Sequence, residues 1–129
     1  MLRGTEAFGM RIVSETQLGS PGPRQAAPIG CKQASRSSYS CSTCPSGTPG
    51  CSVCLTLNLL NYLTTLVSRE RTIVNELAGA CHSCTSRHYN GQAVDLHNDA
   101  RTNEYLRTCE SMGGWAQDEG NHVHCQFYD

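Results

Sequence analysis

The side chains able to do chemistry gather in two segments, Ser86-Arg87-His88-Tyr89-Asn90-Gly91-Gln92-Ala93-Val94-Asp95 and His122-Val123-His124. Together they offer imidazole, carboxylate and imidazole, a donor set that holds zinc and leaves one coordination position open for water. Zinc lowers the pKa of such a water to about 7, so the pattern points to metal-dependent hydrolysis. That chemistry also needs a base for the water proton and a donor for the developing oxyanion. Asp118 and Glu119 shortly precede the His-Val-His triplet, and either can be the base; the imidazole that is not a ligand would serve the oxyanion.

Strand geometry must bring these groups together. On a strand His122, His124 and Gln126 share one face while Val123, Cys125 and Phe127 share the other. Two residues of strand rise separate the imidazoles by about 7 Å. Gln92 to Leu96 reads as a second strand, with Val94 and Leu96 on one face and Ala93 and Asp95 on the other. If the two strands adjoin, Asp95 and one of the two imidazoles meet at a single cation, and His88 arrives from the preceding loop. Gly91 and Ala93 are expected to keep the approach clear. His82 and His97 read as solvated polar residues.

The remaining elements follow from periodicity. Leu59, Leu60, Leu63, Leu66 and Val67 recur at helical spacing, which predicts an amphipathic helix of about a dozen residues. Arg69-Glu70-Arg71 makes the turn into a β-branched strand at Thr72-Ile73-Val74. Gly79 to Asn90 reads as a loop. Asn98 or Asp99 can cap a second helix with Tyr105, Leu106, Cys109 and Met112 as its buried stripe and Gly113 as its stop. Trp115–Gln117 and Asn121–Phe127 predict two strands joined at Asp118–Gly120. The order α-β-β-α-β-β implies a small α+β domain with an antiparallel sheet and flanking helices, over residues 55–129. Residues 1–54 form an extension outside it, a flexible arm over 1–30 and then a Ser-, Gly- and Cys-rich stretch.

A chain of 129 residues holds one small domain, and a net charge of −1 with no basic run excludes a nucleic-acid or anionic-membrane surface. The longest apolar-leaning run, Leu55 to Val67, is broken by Asn and Thr, so no membrane span is expected. Nine cysteines imply a disulfide framework in an oxidising compartment, with one thiol left over. A monomeric, secreted protein is expected, although the N-terminus carries no signal-peptide pattern. The array Cys41-Ser42-Thr43-Cys44 and Cys51-Ser52-Val53-Cys54 would suit a Cys₄ zinc knuckle in a reducing cell and disulfides outside it.

The segment Ser86 to Asp95 resembles the Ser-x-His-x-x-Gly-x-Ala-x-Asp motif of the zinc D-Ala-D-Ala carboxypeptidase and peptidoglycan endopeptidase family. The same motif occurs in the hedgehog N-terminal signalling domain, which shares that fold. Tyr89, Val94 and His122-Val123-His124-Cys125 are close to the hedgehog form, and the likeness covers roughly residues 55–127. It implies that His88, Asp95 and His124 ligate Zn²⁺ and that His122 orients the water or stabilises the oxyanion. By spacing, the base is Asp118 in the hedgehog register or Glu119 as a Glu three residues before the first His. The family's carboxylate-clamping Arg has no counterpart in Asn75 to Ser86, and Arg87 lies inside the motif. The implied function is a zinc peptidase acting on bacterial peptidoglycan. The alternatives are a non-catalytic, hedgehog-like zinc domain that binds a partner, or a disulfide-rich interaction module.

Overall fold

The computed structural model describes Met10–Ile12 and residues 31–128. The reading of residues 1–30 as an arm otherwise lies outside the described residues. The elements are β1 (Met10–Ile12), β2 (Gln33–Ser35), β3 (Ser52–Cys54), helix α1 (Leu57–Arg69), β4 (Thr72–Glu76), a 3₁₀ turn at Arg87–Asn90, β5 (Ala93–His97), helix α2 (Thr102–Ser111), β6 (Trp115–Asp118) and β7 (His122–Gln126). The architecture is α+β. A five-stranded antiparallel sheet runs in the order β1-β4-β5-β7-β6, and β2 and β3 form a separate antiparallel pair.

The apolar periodicity becomes burial. Leu59, Tyr62, Leu63 and Leu66 of α1 are fully buried, together with Val74, Val94, Leu96 and Val123 of the sheet. Each such side chain contributes about 1.5–3 kcal/mol relative to exposure. The alternation along β7 holds, with Val123 and Cys125 inside and His122, His124 and Gln126 on the other face. A disulfide from Cys125 to Cys109 clamps α2 to the inner side of that strand.

The N-cap of helix α2 is Arg101, two to three residues after the candidate caps. Asp99 Oδ1 accepts the Arg101 N–H at 2.8 Å and its carbonyl accepts the Thr102 hydroxyl at 2.8 Å, so Asp99 shapes the turn before the helix. Arg101 ties the two helices together. Its guanidinium donates to the Leu66, Glu70 and Arg71 carbonyls at 3.0–3.1 Å and to both carboxylate oxygens of Glu104 at 2.8 and 3.0 Å. The exposed carbonyls at the end of α1 are thereby satisfied by a side chain from the other helix.

Residues 31–54 fold by a different means. Cys31–Cys54 closes the β2–β3 pair, while Cys41–Cys81 and Cys44–Cys84 fasten the segment to the loop before the 3₁₀ turn. Three of the four CxxC cysteines, Cys41, Cys44 and Cys54, are thus held in disulfides, and no Cys₄ zinc knuckle forms. Cys51 is the free thiol and is exposed. Arg36 adds a polar tie, donating to the Gly50 carbonyl at 2.6 Å and to the Tyr89 carbonyl at 2.9 Å. Four disulfides fit an oxidising compartment. No helix among the described residues is long and apolar enough to cross a membrane.

Candidate metal centre

The site lies on the sheet face opposite α1 and α2, at the junction of β5 and β7. Antiparallel register sets Asp95 directly across from His124, and His97 across from His122. Asp95 is therefore placed by strand pairing, with no help from loop conformation.

His88 comes from the 3₁₀ turn, whose first N–H groups are capped by Ser86: the Ser86 hydroxyl accepts the His88 N–H at 3.1 Å. The turn ends at Gly91, whose φ of +72° belongs to the left-handed region, and a Cβ there would collide with the Cys54 carbonyl oxygen. Gly91 thus serves the junction with β3 and does not open the approach to the metal ligands. Tyr89, buried beside His88, fixes the preceding loop: its hydroxyl donates to the Ala80 carbonyl at 2.9 Å and accepts the His82 N–H at 2.8 Å.

Three imidazoles converge on one oxygen. Asp95 Oδ1 lies 2.9 Å from His124 Nδ1, 3.3 Å from His88 Nε2 and 3.8 Å from His122 Nε2. His88 and Asp95 are almost wholly buried, at 2% and 6% exposure. Burial opposes ionisation of Asp95, but the imidazoles of His124 and His88 beside it outweigh that and hold the carboxyl well below its usual range. Burial likewise disfavours the His124 imidazolium, and the hydrogen bonds to Asp95 and Gln126 override it and raise the pKa.

The donor chemistry fits a cation. His88 Nδ1 stands 2.6 Å from the Leu77 carbonyl, which can only accept, so Nδ1 carries the hydrogen and neutral His88 turns a bare Nε2 lone pair toward Asp95. Two lone pairs facing each other at 3.3 Å repel unless a proton or a metal ion lies between them. Backbone-held Nδ1–H with Nε2 directed inward is also how ligating imidazoles are oriented.

The sequence reading missed His82. It stacks on His88 with ring centroids 3.9 Å apart and planes 8° from parallel. Ligand atoms of His82, His88 and Asp95 lie within 4.8 Å of one another and could hold a metal ion. His82 Nε2 is buried without a hydrogen bond; it is 3.0 Å from Glu76 Oε2 but off the line a hydrogen bond requires. The available signal was its position between Cys81 and Cys84. In a disulfide-forming chain, a residue bracketed by two cysteines is held in place.

The two candidate bases separate. Glu119 lines the cleft, with Oε1 3.4 Å from His122 Nε2. Asp118 instead accepts from Asn98 Nδ2 at 2.6 Å and from the Gly120 N–H at 2.9 Å on one oxygen. Arg87 points elsewhere, donating to Gln92 Oε1 and the Phe127 carbonyl and lying over the Tyr128 ring. The cleft has a volume of about 590 Å³, and none of the described residues lining it is Lys or Arg. In comparisons with known proteins, no family model, curated protein or solved structure matches the chain.

Proposed function

We propose that the chain is a secreted zinc metallopeptidase that hydrolyses peptide bonds of bacterial cell-wall peptidoglycan. The observation that carries this reading is the convergence of His88, His124 and His122 on Asp95 Oδ1, with Glu119 beside His122 in the same cleft. It agrees with the roles implied by the motif likeness to zinc D-Ala-D-Ala peptidases and hedgehog domains.

His88 Nε2, Asp95 and His124 Nδ1 would hold the Zn²⁺, with His82 beside them as a further nitrogen donor. When bound, the ion supplies an activated water and polarises the scissile carbonyl. Glu119 takes the water proton on its carboxylate and passes it to the leaving nitrogen. The water oxygen joins the acyl carbon, and the C–N bond breaks with its electron pair on nitrogen. His122, whose Nδ1 is held by the Asn121 side-chain amide at 2.6 Å, donates from its Nε2–H to the developing oxyanion.

The test is mass spectrometry of peptidoglycan fragments incubated with zinc-loaded protein and with Glu119→Ala. Cleavage by the first and a loss of about 10²-fold or more in the second are expected. Unchanged fragments with the zinc-loaded protein would overturn the peptidase reading. His124→Ala should lose stoichiometric metal and melt at lower temperature, whereas full zinc occupancy in that variant would reject the ligand set. His82→Ala then shows whether His82 belongs to it. The second reading, a non-catalytic zinc domain that binds a partner, is favoured by the lack of a Lys or Arg among the described residues lining the cleft. It predicts bound zinc without fragment turnover.

A further inference from the structure

We infer, resting on the peptidase reading, that the cleft takes an internal peptide bond flanked by an amine-bearing residue and rejects a substrate ending in a free carboxylate. Carboxylates bracket the ligand cluster on two sides. On the β4 side Glu76 reaches His82, whose ring covers His88. On the β6–β7 side Glu119 reaches His122, which faces Asp95. Both Glu76 and Glu119 line the cleft, and no described Lys or Arg does.

Two cationic side chains adjoin the site, Arg87 beside His88 in sequence and Arg36 through the Tyr89 carbonyl, and both are committed elsewhere. Arg87 is engaged by Gln92, Phe127 and Tyr128, and Arg36 by the Gly50 and Tyr89 carbonyls. A dication held by Asp95 and neutral imidazoles leaves one surplus positive charge, at the ion itself, and Glu76 and Glu119 outnumber it. A substrate carboxylate beyond the scissile bond therefore meets repulsion, with no donor fork among the described residues to receive it. An ammonium group meets Glu76 on the β4 side of the cleft, or Glu119 together with an aromatic face on the β6–β7 side. Trp115, 44% exposed, lines the cleft beside His124 at 5.9 Å between ring centroids, and an indole is the best aromatic partner for a cation.

Trp115 also makes the test direct, because it is the chain's one tryptophan. Its fluorescence in the zinc-loaded full chain would be titrated with N-acetyl-D-Ala-D-Ala as the free acid, with the same peptide amidated, and with N-acetyl-D-Ala-D-Ala-Lys amide. Products of each would be read by mass spectrometry. The lysine amide is expected to half-saturate at a concentration at least about tenfold below that of the free acid, with the neutral amide between them. Glu76→Gln should narrow that ratio to about threefold. A free acid that binds as tightly as the lysine amide, or no binding by any peptide, overturns the inference. Cleavage of the free acid with that binding order leaves the peptidase reading standing. The expected order without cleavage removes the peptidase reading and keeps the rule for what the cleft binds.

Discussion

The two walls of the cleft are held by different physics. The wall made by β5 and β7 rests on a packed core in which α1, α2 and the sheet bury Leu59, Leu63, Leu66, Val94, Leu96 and Val123. The wall carrying Thr43 and His82 comes from residues 31–54 and the loop 81–84, where Ala34, partly buried Val53 and little else face that core. Disulfides do there what apolar burial does elsewhere. Asp95 and His124 thus sit on the rigid side, and His82 sits on a side that is only as fixed as Cys41–Cys81 and Cys44–Cys84 make it.

The most severe way to break this contrast is to remove both of those disulfides, by Cys→Ser at all four positions. Each closes a separation of 40 residues. The chain-entropy relation assigns the first about 4 kcal/mol, mostly through the freer unfolded chain. Amides of residues 31–54 should lose hydrogen-exchange protection while those of α1 keep theirs. Simultaneous loss in both regions would show that the walls form one cooperative unit.

Leu63→Ala probes the other wall. Leu63 is fully buried in α1, and its truncation should cost about 2–4 kcal/mol in denaturant unfolding. Protection should fall in α1 and the sheet together, the opposite of the disulfide variant. A loss confined to α1 would mean that the helix packs independently of the strands bearing the site.

The same contrast governs how far the fold could be read from the chain. On the packed side, period decides: alternation along His122–Gln126 gave the correct inner and outer faces, and helical spacing located α1. Both arise because burial follows the geometry of the element. On the stapled side no period exists. Which cysteines pair depends on tertiary approach, so neither the Cys41–Cys81 and Cys44–Cys84 links nor the stacking of His82 on His88 could be derived. Gly91 shows the same limit: the close approach that leaves no room for a Cβ is to Cys54, on a segment whose position is set by cross-links.

Behind the sheet, the half-buried guanidinium of Arg101 joins the helices, together with Arg69 on Glu104 and the Tyr62 hydroxyl on the Tyr105 carbonyl. Arg101→Ala removes the side-chain donor to the carbonyls at the end of α1 and leaves the Glu104 carboxylate with Arg69 alone, and should cost about 2 kcal/mol in thermal or denaturant unfolding. Metal binding should be unaffected, because Arg101 lies on the helix side of the sheet. A parallel loss of zinc affinity would show that the helix junction transmits to β5 and weaken the distinction between core and site.

The smallest effect concerns pH. The hydrogen bonds from Arg101, and secondarily from Arg69, outweigh partial burial and lower the Glu104 pKa from 4.5 to about 2. A depressed folded-state pKa means that the unfolded chain takes up the proton first as pH falls. The stability from ionised Glu104 is therefore complete above about pH 4.5 and is lost progressively toward pH 2. Because the carboxylate is partly solvent-facing, its share is about 1 kcal/mol. Glu104→Gln keeps the shape and removes the titration, so its unfolding free energy should decline less steeply than that of the parent between those two pH values. Parallel pH profiles would mean that the Arg101–Glu104 pair contributes no charge-dependent stability, leaving hydrogen bonding to the α1 carbonyls as the main role of Arg101. The junction would then be held by burial and backbone satisfaction alone, and the contrast between a packed wall and a cross-linked one would become sharper.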